Sequence, residues 1–189
     1  MIIPDHLYTA RELTVCGLLG GMCRARVRTF LNIGMNRPHN PANNWWLKIC
    51  QANGILPYVL EVFEPNRRAL REYGIPNVIA GDVSEIDSIF GPSSFDVVLW
   101  WHGPEHVEKS VAIQTIEKLK GCTRQMLIVG CPKGFEPQTT VGGNDHERHV
   151  SAWERSDFEK QGMETIVVHD GRAFLHITAW LVVNRPLEK

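Results

Sequence analysis

From Thr29 onward, short apolar runs recur along the chain, and stretches with helical spacing fill the intervals between them. That alternation predicts a parallel sheet covered by crossover helices. The runs are Thr29 to Ile33, closing on Gly34; Tyr58 to Phe63, closing on Glu64 and Pro65; Asn77 to Ala80; Phe95 to Trp101; and Gln125 to Gly130. Helices are expected over Trp45 to Ala52, Asn66 to Tyr73, Glu105 to Leu119 and Ser156 to Gln161. Two later strand-like runs, Glu164 to His169 and Ala173 to Val183, flank Asp170-Gly171, a hairpin turn signal. The pattern therefore predicts an α/β fold: a doubly wound, mostly parallel seven-stranded sheet with a C-terminal antiparallel hairpin and the Thr29 strand at its centre. Ahead of it, Thr9 to Arg26 has mixed helical character, but Gly17, Gly20 and Gly21 argue against one unbroken helix. Residues 1–28 are thus expected as a helical lead-in and residues 29–189 as the domain.

Composition narrows the partners. At 189 residues and 43% hydrophobic content the chain suits one globular unit. Lys and Arg number 20 against 21 Asp and Glu, a balance that lacks the single-signed field expected for nucleic-acid or anionic-membrane binding and favours a small-molecule substrate. Five cysteines without a C-x-x-C pair are expected to be thiols in a reducing compartment. No stretch has the length and apolarity of a membrane span, and Asp5, Arg11 and Glu12 interrupt any signal-like core, so a cytoplasmic location is expected.

Candidate chemistry gathers where the runs end. Gly34 would let the backbone turn tightly and approach a ligand. Glu64, after the second run, is placed to accept both hydroxyl protons of a ribose, or to cap the following helix; Glu61 is the other acid available at that edge. Asp82 could accept a hydrogen bond from an exocyclic amino group such as adenine's, or cap the turn that follows. The fourth run enters Trp101-His102-Gly103-Pro104-Glu105-His106-Val107. This string matches H-x-x-E-H, but Gly103-Pro104 places His102 before any helix, so no metal site is expected from it. In the polar stretch Asn144 to Trp153, His146 and His149 are candidate proton acceptors, and Gly142-Gly143 allows a hinge at its start.

Taken together, Gly34, the acid-ended strands, Phe95-Asp96-x-Val98, the His-x-x-Glu-His-Val segment and the His149-x-Ser151-x-Trp153 stretch before Asp157-Phe158 resemble the class I S-adenosylmethionine (SAM) dependent methyltransferases. The resemblance spans roughly Thr29 to Val183. It implies a Rossmann-like domain with SAM as cofactor and an unidentified small-molecule acceptor. Gly34 would then lie beside the methionine part, Glu64 would hold the ribose, Asp82 would contact adenine, and Trp101 with His102 would line the methyl-donor pocket. His102, His146 and His149 are the candidate bases. The chain departs from the family pattern at Asn32, where an acid is usual, and at Met35-Asn36-Arg37, which lacks the later glycines. A second reading is therefore a non-catalytic binding or scaffold protein of the same fold, with pairing through Thr9 to Arg26 leaving an oligomer possible.

Overall fold

The computed structural model describes residues 10–22, 26–35, 45–169 and 175–183. In chain order it contains α1 (Ala10–Met22), β1 (Thr29–Ile33), α2 (Trp45–Asn53), β2 (Leu56–Glu61), α3 (Glu64–Glu72), β3 (Val78–Ala80), α4 (Ile86–Ile89), β4 (Phe95–Trp101), α5 (Lys109–Cys122), β5 (Thr123–Pro132), α6 (Arg155–Glu159), β6 (Glu164–His169) and β7 (Leu175–Val182). Single 3-10 turns at Val83–Glu85, Pro104–His106 and Asp145–Glu147 punctuate the loops.

The strands form one sheet in the order β3-β2-β1-β4-β5-β7-β6. β1 to β5 run parallel, while β7 is antiparallel to both β5 and β6. β1, expected at the centre, lies inside the sheet one place from the middle strand β4, and the expected terminal antiparallel pair is present; the Asp170-Gly171 turn itself lies outside the described residues. Strand order reverses between β1 and β4, and the crevice above the carboxyl ends of these strands is where open α/β sheets bind ligands.

Alternation along the central strands feeds two apolar layers. Phe30, Val97, Leu99, Met126 and Ile128 face one side, where Leu19, Trp46, Ile49 and Leu70 from α1, α2 and α3 cover them. Leu31, Val98, Trp100, Leu127 and Val129 face the other, against Ile86, Ile116, Leu119 and Phe158 from α4, α5 and α6. The parallel strands are buried on both faces, which explains their near-continuous apolar runs.

Two local differences from the sequence expectation have physical reasons. α1 is unbroken despite Gly17 and Gly20, because Val15, Cys16, Leu18 and Leu19 bury one side of it in the first layer, and tertiary packing outweighs propensity. β2 runs from Leu56 to Glu61 rather than Tyr58 to Phe63. Its pairing with β1 starts at Thr29↔Leu56 and ends at Ile33↔Leu60, so Phe63, although apolar, falls beyond the sheet and becomes the N-cap of α3.

The central strands are also tied at their lower ends. Fully buried Asp96 accepts the backbone N–H groups of Arg28 and Thr29 at 2.7 and 3.1 Å and pairs with the Arg124 guanidinium at 2.6 Å. Burial pushes its carboxyl up, but these donors outweigh burial and hold it below the ordinary carboxylate value. The Phe-Asp pair at the start of β4 is thus a structural clamp, remote from the carboxyl-end crevice.

Candidate active site

A cavity of about 590 Å³ opens above the carboxyl ends of β1, β2 and β4, within the range of small-ligand sites. Its floor begins at Gly34, whose N–H donates to the Leu60 carbonyl at 2.9 Å and whose φ of 69° is in the left-handed region that glycine adopts without strain. Among the described residues, a Cβ at this position would meet nothing within 4 Å. Buried Asn32 and Met35 line the same wall.

The early end of β2 decides which acid reaches the cavity. Glu61 is the last strand residue, is 4% exposed and lines the cavity. Its Oε1 accepts the Phe63 N–H at 2.8 Å, and Arg67 Nη1 grips the turn by donating to the Glu61 and Val62 carbonyls. Burial pushes the Glu61 carboxyl up to about 7; hydrogen bonds from Phe63 and Asn66 oppose the rise, the charge of Glu147 adds to it and that of Arg67 counters it. Glu64 begins α3 with its side chain 51% exposed, beside Arg68 at 3.8 Å, and is not among the cavity residues. Asp82 lines the cavity and also caps the following 3-10 turn, its Oδ1 accepting the Ser84 N–H and hydroxyl, each at 2.8 Å. The capping role weighed for it from sequence is thus observed.

The opposite wall is built from β4, β7 and the loop after β5, and it is rich in histidine. Trp101 closes β4, with its ring 4.6 Å from the His176 ring of β7 and edge-on to Trp45. Gly130 makes room for this stack, since a Cβ there would lie 2.6 Å from the Trp101 ring and 2.8 Å from His176. His102 leaves the strand at φ 52°, an uncommon conformation for a non-glycine residue, and its N–H donates to the Gly130 carbonyl at 2.8 Å. Gly103 is required next, because a Cβ there would stand 1.8 Å from Trp100 Nε1. His102 Nδ1 lies 3.1 Å from Oε1 of buried Glu105, which fixes the ring.

The chain from Gly134 to Trp153 folds over this wall and is fastened at several points. Gly134 and Trp153 form an antiparallel bridge, the Ser151 hydroxyl donates to the Pro104 carbonyl, and the Val150 and Ser151 N–H groups donate to the Glu105 carbonyl. Asn144 caps the turn Asp145–Glu147, which carries exposed His146 at the cavity rim. His149 Nδ1 contacts the Glu136 carbonyl at 2.5 Å, and its ring stands 4.7 Å from that of His106.

Of the residues singled out from sequence, the structure brings Gly34, Asp82, Trp101, His102, His146 and His149 around one cavity and leaves Glu64 outside it. Sequence reasoning missed His106 and His176 and held Glu61 only as an alternative. His106 was visible in the His102-to-His106 string, but its partner is His149, distant in sequence; His176 needed the register of β7 against β5. The described cysteines Cys16, Cys50, Cys122 and Cys131 are buried and form no disulfide among the described residues. Burial pushes the Cys50 thiol up to about 12 and raises Cys131 as well, which suits neither for nucleophilic work.

No family model matches the chain, and no curated protein does either. Solved structures do. A SAM-dependent methyltransferase from Archaeoglobus fulgidus superposes with a TM-score of 0.59 at 14% identity, over 91% of this chain and 95% of that one. The 1,6-didemethyltoxoflavin-N1-methyltransferase of Burkholderia thailandensis, solved with bound 1,6-didemethyltoxoflavin and S-adenosylhomocysteine, gives 0.63 at 13% identity over 92% of this chain and 76% of that one. The chain has the class I SAM-dependent methyltransferase fold. That fold also carries other chemistry: the [4+2]-cyclase SpnF superposes at 0.57 and 13% identity over 83% of this chain and 59% of the cyclase. Fold alone therefore leaves the activity to be argued from the site. Among the described residues, no helix is long and apolar enough to cross a membrane.

Proposed function

We propose that this chain binds SAM in the cavity above β1, β2 and β4 and methylates a small-molecule acceptor. The observation that carries the reading is Glu61: a buried carboxylate at the carboxyl end of the strand beside the switch point, lining a cavity next to a left-handed glycine turn. A carboxylate in this position suits a ribose, whose two hydroxyls donate to it. Gly34 allows close approach of the ligand's amino-acid part, Asp82 can accept from an amino group of the base, and Trp101 offers an aromatic wall beside the reacting centre. Bound there, SAM supplies an electrophilic methyl group.

His102 is the proton acceptor in this reading. With Nδ1 directed at Glu105, Nε2 carries the lone pair that would take a proton from an acceptor hydroxyl, and the buried carboxylate stabilises the imidazolium that forms. His146 sits on the rim, where it would contact the acceptor. The open cavity favours an enzyme over a scaffold, and cytoplasmic location follows as an expectation from the thiol content.

The test is a search for methyl transfer. Wild-type protein would be incubated with a small-molecule extract and SAM carrying a deuterated methyl, and labelled products read by mass spectrometry. A labelled product made by the wild type and absent with His102→Ala is expected. Tight SAM binding with no labelled product from any extract would instead favour a non-catalytic protein or a different reaction on this fold.

A further inference from the structure

At the histidine-rich wall of the cavity, a carboxylate oxygen of Glu105 and one ring nitrogen each of His106 and His149 lie within 4.8 Å of one another. We infer that these three side chains form a site for a borderline divalent transition-metal ion of the zinc class, with its remaining coordination positions open to the cavity. Two imidazoles and one carboxylate are a donor set that such ions favour over magnesium or calcium, which prefer oxygen.

Three independent features support the assignment. The first is an orphan acceptor. Glu105 is 2% exposed; its Oε1 is committed to His102, while Oε2 is buried and meets no hydrogen-bond donor among the described residues. A buried carboxylate oxygen without a partner is costly, and a cation would satisfy it. The second is the orientation of the rings. His149 Nδ1 contacts the Glu136 carbonyl at 2.5 Å and His106 Nδ1 the Arg148 carbonyl at 3.3 Å. A carbonyl only accepts, so both Nδ1 atoms carry the proton and both Nε2 atoms carry the lone pair. Backbone carbonyls holding the non-ligating nitrogen are the usual outer support of metal-bound histidine. The third is access, since His106 and His149 both line the cavity. A bound ion at about 2.0–2.2 Å from each donor would draw the three atoms modestly closer together.

The site does not depend on SAM binding. The proposal departs from the sequence expectation of no metal, because the histidine that completes the site comes from the loop after β5. His102, the first histidine of the H-x-x-E-H string, instead contacts Oε1 of the same glutamate, so Glu105 would join the ion to the proposed base.

Full-length protein stripped with a chelator and then titrated with Zn²⁺ against a chromophoric competitor tests the assignment. One ion per chain is expected, with affinity lost by about tenfold or more in His106→Ala and in His149→Ala, and retained in His146→Ala. Because substitution could disturb the loop, wild-type protein loaded with Co²⁺ gives a second readout. Visible absorption of a low-coordinate nitrogen and oxygen site is expected, and it should be abolished by equimolar Zn²⁺. No stoichiometric Zn²⁺ binding, or binding that persists within threefold in the His106→Ala/His149→Ala double variant, would overturn the site. S-adenosylhomocysteine titrated into the same proteins reports separately on the methyltransferase reading.

Discussion

On the β1–β2–β3 side the cavity is walled by backbone and two acids, with Gly34, Glu61 and Asp82 each at a strand end; on the β4–β5–β7 side it is walled by His102, His106, His146, His149 and His176. The first wall comes from one contiguous βαβαβ stretch, and its residues face the cavity because the strands stop there. The second is assembled from three separate parts of the chain and held by hydrogen bonds to buried Glu105. In the proposed reading, one wall would hold a nucleoside by position, and the other would move a proton or hold a cation by side-chain chemistry. The fold neighbours bear on the scaffold and on neither wall, since the same scaffold carries methyltransferases and a cyclase.

If the division is real, substitutions on the two walls should separate turnover from binding. The largest effect is expected at His102. Its change to Ala should lower turnover roughly 10²- to 10⁴-fold while S-adenosylhomocysteine affinity stays within about threefold, read by initial rates and calorimetry. Equal losses in both quantities would merge the walls into one. Next comes Glu61→Ala, which should weaken S-adenosylhomocysteine by about 1.5–3 kcal/mol, the value of hydrogen bonds to a charged group. Glu64→Ala should change affinity by less than about 0.5 kcal/mol, because that side chain is half-exposed and outside the cavity.

Glu61 also sharpens the comparison through pH. Its carboxyl is raised from an ordinary 4.5 to about 7, so its contribution to stability is full below about 4.5 and is lost as pH rises through about 7. Ligand binding has the opposite sign, because a ribose donates to the ionised form. S-adenosylhomocysteine affinity should be full above pH 7 and fall by about tenfold per unit below it, and Glu61→Gln should flatten that slope. A slope unchanged in Glu61→Gln would contradict its assignment to this carboxyl. A further prediction concerns packing. Gly130→Ala would press on Trp101 and His176, costing about 1–3 kcal/mol of stability in thermal unfolding and disturbing the histidine wall before the acid wall.

The fold was legible in the sequence because buried parallel strands must be apolar on both faces, which marks β1 and β4 at their observed limits, and because the hairpin signal closed the sheet. The site was legible in part. Gly34, Asp82 and His102 follow strands whose ends could be read, whereas the end of β2 could not: Val62 and Phe63 extend the apolar run, yet pairing with β1 stops at Leu60. That shift moves the candidate ribose acid from Glu64 to Glu61. The meeting of His106 with His149, and of Trp101 with His176, depends on loop path and antiparallel register. Local patterning carries no record of either.

The central claim, that the acid wall holds SAM through Glu61, is tested most directly by isothermal titration of S-adenosylhomocysteine into wild type and Glu61→Ala at pH 8. Binding of one ligand per chain is predicted for the wild type, with affinity about 10- to 150-fold weaker in the variant, the equivalent of 1.5–3 kcal/mol. No heat from the wild type at millimolar ligand, or equal affinity in the two proteins, would contradict it.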